Sequence, residues 1–100
     1  MAPALSSKDF GDCLETQFVA DGAGGPAALL LVGLQQGANS ARMESFSLLF
    51  CGPIAPYLPQ GIYRLQHEKL GTMEMFLVPL GPDGRGMQYE AVFNRFRDSR

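Results

Sequence analysis

The sequence predicts an all-β domain, a small antiparallel barrel or roll of about six strands with a short N-terminal helix. In the second half of the chain, four apolar, β-prone runs are separated by segments rich in Gly, Pro and Asp. These runs are residues 46–53, 61–67, 70–81 and 89–94. Because turn signals between apolar runs reverse the chain, we expect the four runs to follow one another as an antiparallel meander.

A short helix is predicted near the start of the chain. Ser6 can cap its first turn, and Asp9, three residues later, completes an approximate capping box. Phe10, Cys13 and Leu14 follow at the spacing i, i+3, i+4. This spacing places the three side chains on one face of a helix of about two turns.

The next two segments are typical of a strand and its return. Residues 16–20 are predicted as a first strand and residues 21–25 as its turn. The run from Pro26 to Gly37 fits a helix, with proline at the first position and glycine after the last. It fits equally well a strand paired back on residues 16–20. A short apolar run does not reveal its own period, so the residues leave both structures open.

Alternation along the meander predicts which side chains face the core. Side chains two residues apart lie on the same face of a strand, so every second residue of a run is buried with the others. The expected core residues are Phe46, Leu48, Phe50, Tyr63, Leu65, Met73, Met75, Leu77, Tyr89, Ala91 and Phe93.

Length, composition and charge limit the classes of protein that fit. The chain has 100 residues, of which 46% are apolar and 18% charged, as in a folded domain. We expect one domain over residues 1–94 and a short basic tail at residues 95–100. The net charge of −2 argues against nucleic acid as a partner. The longest apolar run, residues 26–34, is too short to cross a membrane, and the start of the chain does not resemble a signal peptide, so we expect a cytoplasmic location.

The cysteines and the single histidine offer little chemistry. Cys13 and Cys51 are expected to be reduced, buried and unreactive in the cytoplasm. A nucleophile pair of Cys51 with His67 is disfavoured, because an apolar strand surrounds the thiol. No other residues are spaced to complete a metal site, so we expect no metal, no cofactor and no catalytic residues. His67 is instead expected to cap a strand end beside the turn that follows it.

The segment between the first two runs of the meander has a regular spacing of prolines. They recur at every third position, as Pro53, Pro56 and Pro59. This is the period of polyproline II. We expect a stiff cover that lays Ile54, Tyr57 or Leu58 over an open end of the barrel. The alternative is a ligand for a proline-reading domain.

The motifs of the meander resemble a known family. In chain order they are F-S-L-L-F-x-G-P at 46–53, L-P-Q-G-I-Y-R-L-x-H at 58–67, L-G at 70–71, F-L-V-P-L-G-P-D-G at 76–84 and Y-E-A-V-F-N at 89–94. The set resembles DUF6916, a family of small bacterial proteins of unknown function. The resemblance implies a small all-β domain with a short N-terminal helix, and it favours a strand at residues 28–35. It also implies gene neighbourhoods with phage-tail-collar-like proteins, and it places glycine where this chain has Glu15.

A strand at residues 28–35 would be apolar on both faces. A helix of about two turns spans only about 10–12 Å, which is too short to cover such a row. We therefore expect a homo-oligomer or an obligate complex with the outward side chains of this strand at the contact. The candidate interface residues, on this strand and on the proline segment, are Leu30, Val32, Leu34, Pro53, Pro56, Tyr57 and Pro59.

These observations lead to two hypotheses about function. The first is a non-enzymatic structural or protein-interaction module, a β-barrel subunit that assembles with itself or with a partner protein, with a phage-tail-like particle as the setting that the resemblance implies. The alternative is a small-ligand-binding β-barrel, in which Tyr57, Tyr63 and Tyr89 form polar-tipped walls.

Overall fold

The computed structural model describes residues 5–22, 24–37, 43–55 and 57–96, without the side chains of residues 95 and 96. In this part of the chain a short helix precedes six strands. They are α1 (Ser7–Gly11), β1 (Gln17–Gly22), β2 (Gly25–Gln36), β3 (Met43–Gly52), β4 (Gly61–His67), β5 (Gly71–Asp83) and β6 (Gly86–Phe96).

The strands close into an antiparallel barrel in the ring order β1-β2-β3-β6-β5-β4. The all-β prediction is confirmed, and β4, β5 and β6 form a meander as expected. The expected pairing of β3 with β4 is wrong, because β3 lies between β2 and β6. The connection at residues 53–60 is longer than a tight hairpin turn, and it crosses an end of the barrel instead.

The ambiguous run from Pro26 to Gly37 is a strand, and its helix alternative is wrong. The strand β2 pairs with β1 on one side and with β3 on the other. A β-bulge interrupts the second ladder, where Leu31 lies opposite Phe50 and Gly33 lies opposite Leu49. The bulge adds Val32 to the strand and so reverses the alternation of side chains beyond it.

The interior of the barrel is filled by side chains. Most of the expected core is confirmed as buried, and Tyr63, Met73 and Phe93 are partly buried against it. The buried cluster consists of Phe10, Phe18, Ala20, Leu29, Leu31, Phe46, Leu48, Phe50, Leu58, Leu65, Met75, Leu77, Met87, Tyr89 and Ala91. It draws on every strand, which is what a closed barrel of this size requires.

The capping box of α1 is present as predicted. The Ser6 hydroxyl accepts a hydrogen bond from the Asp9 amide at 3.3 Å, and the Asp9 carboxylate accepts one from the Ser6 amide at 2.8 Å. The helix is shorter than predicted, and Leu14 lies beyond it with its side chain exposed. After Gly11 the chain enters a turn, in which the Cys13 amide donates to the Phe10 carbonyl oxygen at 2.9 Å and Glu15 adopts a φ of 63°, a left-handed conformation that does not continue a helix.

The barrel has two ends that we name by what covers them. At the helix end, β1, β3 and β5 begin and β2, β4 and β6 finish; at the proline end, residues 53–60 cross over. The strand β6 continues to Phe96, past the expected boundary at residue 94, and residues 97–100 lie outside the described residues. Within the described part of the chain, no helix has the length and apolar character needed to cross a membrane.

Candidate functional site

The proline end is closed by one side chain of the crossing segment. Leu58 is 8% exposed and belongs to the buried cluster, whereas Ile54 and Tyr57 stay exposed. The Leu58 amide donates a hydrogen bond to the Tyr89 hydroxyl at 2.7 Å. Burial raises the pKa of that hydroxyl above its ordinary value of 10.0, and the Leu58 hydrogen bond opposes the shift. The expected cover is therefore present, with Leu58 as its inward residue.

Glycines at the strand ends allow this close approach. A Cβ atom on Gly22 would lie 2.8 Å from a methyl carbon of Leu58. A Cβ atom on Gly52 would collide with the side chains of Leu29 and Tyr89. Gly22 therefore leaves room for Leu58, and Gly52 leaves room for the core side chains of Leu29 and Tyr89.

A small cavity lies between the β1–β2 turn and the crossing segment. Its volume is about 280 Å³, and its described lining residues are Gly24, Gly25, Pro26, Ala27, Pro53, Tyr57, Leu58, Pro59 and Tyr63. The Tyr63 hydroxyl donates a hydrogen bond to the Pro59 carbonyl oxygen, which fixes one wall. Tyr89 was expected as a third wall, but it lies in the core. None of the described lining residues carries a charge.

Large apolar side chains are exposed mainly beside this end. Of the seven exposed large hydrophobic residues in the described part of the chain, Ile54 and Tyr57 lie on the crossing segment. Ile62, Phe76 and Leu80 lie on β4 and β5. Ile62 and Phe76 form a cross-strand pair, directly opposite each other, with exposures of 70% and 47%. We call these two residues the outer pair.

The structure divides the expected interface residues of β2. Leu30 is half-buried on the outer face, opposite Cys51, and Val32 is half-buried in the bulge. Leu34 was grouped with them as an outward residue, but it packs against the buried cluster. The bulge explains this correction, because the alternation changes phase between Leu31 and Leu34.

Three of the four expected interface residues of the crossing segment are described, and all three lie at the surface. Pro53, Tyr57 and Pro59 are exposed, and Pro56 lies outside the described residues. The outer pair was missed from the sequence. A signal was available, because Phe76, Leu77 and Val78 are consecutive apolar residues and therefore place apolar side chains on both faces of β5.

The helix end is closed differently, by an aromatic cluster. The ring of Phe10 lies 6.5 Å from that of Phe18, 6.1 Å from that of Phe46 and 5.8 Å from that of Phe93, measured between centroids. Phe10 is 2% exposed. The single-turn helix α1 therefore positions one buried aromatic side chain, Phe10, in the end of the barrel.

His67 lies at the same end and caps β4, as predicted. Its Nδ1 atom accepts hydrogen bonds from the amides of Lys69 at 3.0 Å and Leu70 at 3.2 Å. Its Nε2 atom lies 2.8 Å from the Thr16 hydroxyl oxygen. Burial lowers the pKa of His67 below its ordinary value of 6.5; Glu68 opposes this shift and Lys69 adds to it.

The structure places the two cysteines differently with respect to burial and to His67. Both cysteines are unpaired; Cys13 is buried, but Cys51 is only half-buried, because Phe50 points inward and its neighbour therefore points outward. Cys51 lies near the proline end of β3, whereas His67 ends β4 at the opposite end, on a strand that does not adjoin β3. Among the described residues, no group of three His, Cys, Asp or Glu side chains could hold a metal ion.

Comparisons with known proteins identify a family for the chain. Nothing among the curated proteins or among the solved structures matches it. A family model described as a domain of unknown function, DUF6916, matches residues 5–93. The match covers α1, the whole of β1 to β5 and most of β6. We conclude that the chain belongs to the DUF6916 family.

Proposed function

We propose that this protein is a non-enzymatic interaction module, a β-barrel subunit that associates with a second copy of itself, or with a partner protein, around its proline end. The observation that carries the proposal is the outer pair. Single exposed apolar residues are ordinary on protein surfaces. Ile62 and Phe76 are two large apolar side chains directly opposite each other on neighbouring strands, and together they form one apolar surface. The exposure of this surface to water is unfavourable, and association would remove it from water.

The crossing segment extends this argument beyond the two strands. Ile54 and Tyr57 are exposed on it, and Tyr is a residue that interfaces favour because it is amphipathic and loses little side-chain entropy on binding. Pro53 and Pro59 limit the backbone freedom of the segment. A surface that is already ordered loses less conformational entropy when a protein binds to it.

The setting proposed for this association is a phage-tail-like assembly in the cytoplasm. The resemblance of the meander motifs to the family supports the setting. The non-enzymatic part of the proposal is supported by the separation of Cys51 from His67 and by the use of both His67 nitrogens in hydrogen bonds within the fold.

The test is the mass of the protein in solution, by size-exclusion chromatography with light scattering over a wide range of concentrations. We expect wild-type protein to form a dimer or larger oligomer, and the double variant Ile62→Thr/Phe76→Thr to run as a monomer. Leu14→Thr is the matched control, because Leu14 is a 42% exposed apolar residue between α1 and β1, at the helix end of the barrel. It should associate like the wild type.

Two outcomes would contradict self-association. The first is a wild-type protein that stays monomeric at every concentration. The second is a double variant that associates as strongly as the wild type. In the first case the partner-protein form of the proposal is tested by crosslinking from position 62 in producing cells, with position 14, at the helix end, as the control. Equal crosslinking from both positions would reject the proline-end surface.

The cavity beside Tyr57 and Tyr63 favours a second candidate function, the binding of a small uncharged ligand. Its volume of about 280 Å³ lies just below the range of about 300–1,000 Å³ that is usual for ligand sites. A thermal-shift screen of small apolar and aromatic compounds tests this candidate. A compound that raises the Tm of the wild type but not that of Tyr57→Ala would support it, and the absence of such compounds would reject it.

A further inference from the structure

Two hairpin turns of this barrel use the same hydrogen-bonding pattern with different acceptors. In the β5–β6 turn, Oδ1 of Asp83 accepts from the amides of Arg85 at 2.8 Å and Gly86 at 3.1 Å, two and three residues further on. In the β4–β5 turn, Nδ1 of His67 accepts from the amides two and three residues further on. His67 therefore occupies the position that Asp or Asn takes in such turns.

The other nitrogen of His67 determines which tautomer is present. The Thr16 hydroxyl donates its single hydrogen to the Cys13 carbonyl oxygen. It can therefore only accept from the imidazole, so Nε2 of His67 carries a hydrogen and donates it to Thr16 at 2.8 Å. The neutral ring, with a free lone pair on Nδ1, satisfies every one of these contacts.

The surroundings of the ring disfavour its charged form. His67 is buried, and its ring centroid lies 4.4 Å from that of Phe18 on β1. On the β4–β5 turn, the nearby charges of Glu68 and Lys69 act on the ring in opposite directions. Burial is the largest influence on the pKa of His67, and it lowers it.

The segment that joins α1 to β1, which reaches the ring through Thr16, carries two carboxylates, Asp12 and Glu15. Each has a cationic neighbour, since Asp12 lies 3.5 Å from Lys8 and Glu15 lies 3.8 Å from Arg85. On the same segment, the backbone carbonyl oxygen of Cys13 accepts the hydrogen bond from the Thr16 hydroxyl. Neither carboxylate of this segment is a hydrogen-bond partner of His67 in the described contacts.

We propose that His67 is a pH-sensitive clasp, whose protonation at Nδ1 releases the β4–β5 turn and the segment that joins α1 to β1. A hydrogen on Nδ1 would face the amide hydrogens of Lys69 and Leu70, so both hydrogen bonds are lost. The charged ring then leaves the apolar contact with Phe18 for water, and Nε2 leaves Thr16. This inference is independent of the proposed association at the proline end.

The seam between β1 and β4 makes this end of the barrel responsive to the clasp. Its ladder consists of Val19 opposite Gln66 and Ala20 opposite Leu65, the shortest in the ring. His67 directly follows Gln66, and Thr16 lies just before β1. The contact between His67 and Thr16 therefore extends a short ladder, and its loss opens the helix end locally.

The direction of the pH effect follows from the role of Nδ1 of His67, which accepts hydrogen bonds in the closed state and therefore must be unprotonated there. The closed state binds protons at His67 less readily than the open state, whose His67 has the ordinary pKa of 6.5. The clasp is therefore fully closed above that value. Its stabilisation declines as the pH falls from 6.5 towards the lower pKa of the closed state.

The test is amide hydrogen exchange of the whole chain, followed by NMR between about pH 7.5 and pH 5 and corrected for intrinsic exchange. Below 6.5, protection of the Lys69 and Leu70 amides should fall by up to about tenfold per pH unit. Arg85 and Gly86 are the internal control. Their acceptor, Asp83, has a pKa held below 3.8 chiefly by the Arg85 amide, so their protection should not change in this range.

The variant His67→Asn separates the clasp from general acid sensitivity. Its side-chain oxygen can accept from the same two amides, but it does not take up a proton in this range. We expect protection of Lys69 and Leu70 to become independent of pH. In the wild type, nitrogen chemical shifts should show a hydrogen on Nε2 and none on Nδ1 of His67 at neutral pH, which is a measurement that needs no variant.

Three results would overturn the clasp. The first is protection at Lys69 and Leu70 that changes no more than at Arg85 and Gly86. The second is a loss of protection that is equal throughout the barrel, since this would be global unfolding. The third is a hydrogen on Nδ1 of His67 at neutral pH.

Discussion

The two ends of the barrel are closed by different means. At the helix end, Phe10 is inserted among three other phenylalanine rings. Side-chain hydrogen bonds hold the helix, since the Ser7 hydroxyl contacts Gln36 at 3.0 Å and Glu44 at 3.3 Å. At the proline end, a single aliphatic side chain, Leu58, enters the barrel and its amide is bound by one tyrosine hydroxyl.

This difference shows how one small core can support two kinds of surface. The residue that closes the helix end, Phe10, is fully inside the aromatic cluster, so this closure contributes to the stability of the fold. The proline end turns part of its apolar residues outward, at Ile54 and Tyr57, and gains less burial from its cover. We infer that the helix end matters more for stability and the proline end more for association.

The largest expected effect is that of Phe10→Ala. Removing a buried phenylalanine from a packed cluster should lower the free energy of unfolding by about 3–5 kcal/mol. Urea denaturation followed by fluorescence or circular dichroism measures this loss. Leu48→Ala, in the middle of β3, is the reference for a core residue that belongs to neither end. A loss below about 1 kcal/mol for Phe10→Ala would mean that the helix is not part of the core.

Truncation of the other cover should cost less. For Leu58→Ala we expect a loss of about 2 kcal/mol, at the lower limit for a buried leucine, because the crossing segment can settle into the space. The same denaturation experiment gives the comparison. A loss equal to that of Phe10→Ala would show that both ends contribute alike and would remove the asymmetry.

The hydrogen bond beneath the proline cover is tested by Tyr89→Phe. This change leaves the Leu58 amide without its acceptor and should cost about 1–2 kcal/mol. Tyr63→Phe is the matched control. The Tyr63 hydroxyl donates to the carbonyl oxygen of Pro59, which is exposed, so a water molecule can take the place of the lost hydroxyl. We expect its loss to stay below about 0.5 kcal/mol. Similar losses for both variants would argue that the Leu58 amide is equally open to water.

The smallest effect concerns Glu15, which precedes β1 with a φ of 63°. Glycine adopts this conformation without strain, and the gain is partly offset by the greater freedom of glycine in the unfolded chain. We expect Glu15→Gly to stabilise the protein by about 0.5 kcal/mol. Glu15→Ala is the control, since it removes the exposed ion pair with Arg85 but keeps the Cβ atom. A loss of stability in both variants would show that the ion pair outweighs the backbone strain.

Much of the fold was predictable because local chemistry and burial agree along most of the chain. The capping box of Ser6 and Asp9 and the alternating faces of β4 and β5 gave correct elements. The cap by His67 was predicted from its place at the end of a run. What the sequence could not predict was the tautomer of His67, because the hydroxyl that determines it belongs to Thr16, far away in the chain.

The errors arise where the sequence does not indicate which side chains of a strand face outward, or which strands pair with each other. In residues 29–32 every side chain is apolar, so no polar residue marks the outward face and the bulge at Val32 left no trace. The pairing of β3 with β6 joins residues far apart in the chain, and nothing local indicates it. The outer pair was missed although the predicted alternation of β5 places Leu77 inward and therefore Phe76 outward; that Ile62 lies opposite Phe76 is known only from the register of β4 and β5.

The position of the described chain ends has a practical consequence. Leu5 and Phe96, the first and last described residues, both belong to the helix end, where α1 lies and β6 finishes. A fluorophore, a surface tether or a fusion protein joined directly next to either of these residues would therefore be attached at the helix end and not at the proline end. Chain ends on the same side of a domain also suit circular permutation. A permutant reopened between the exposed residues Gly84 and Arg85 would keep all six strands intact.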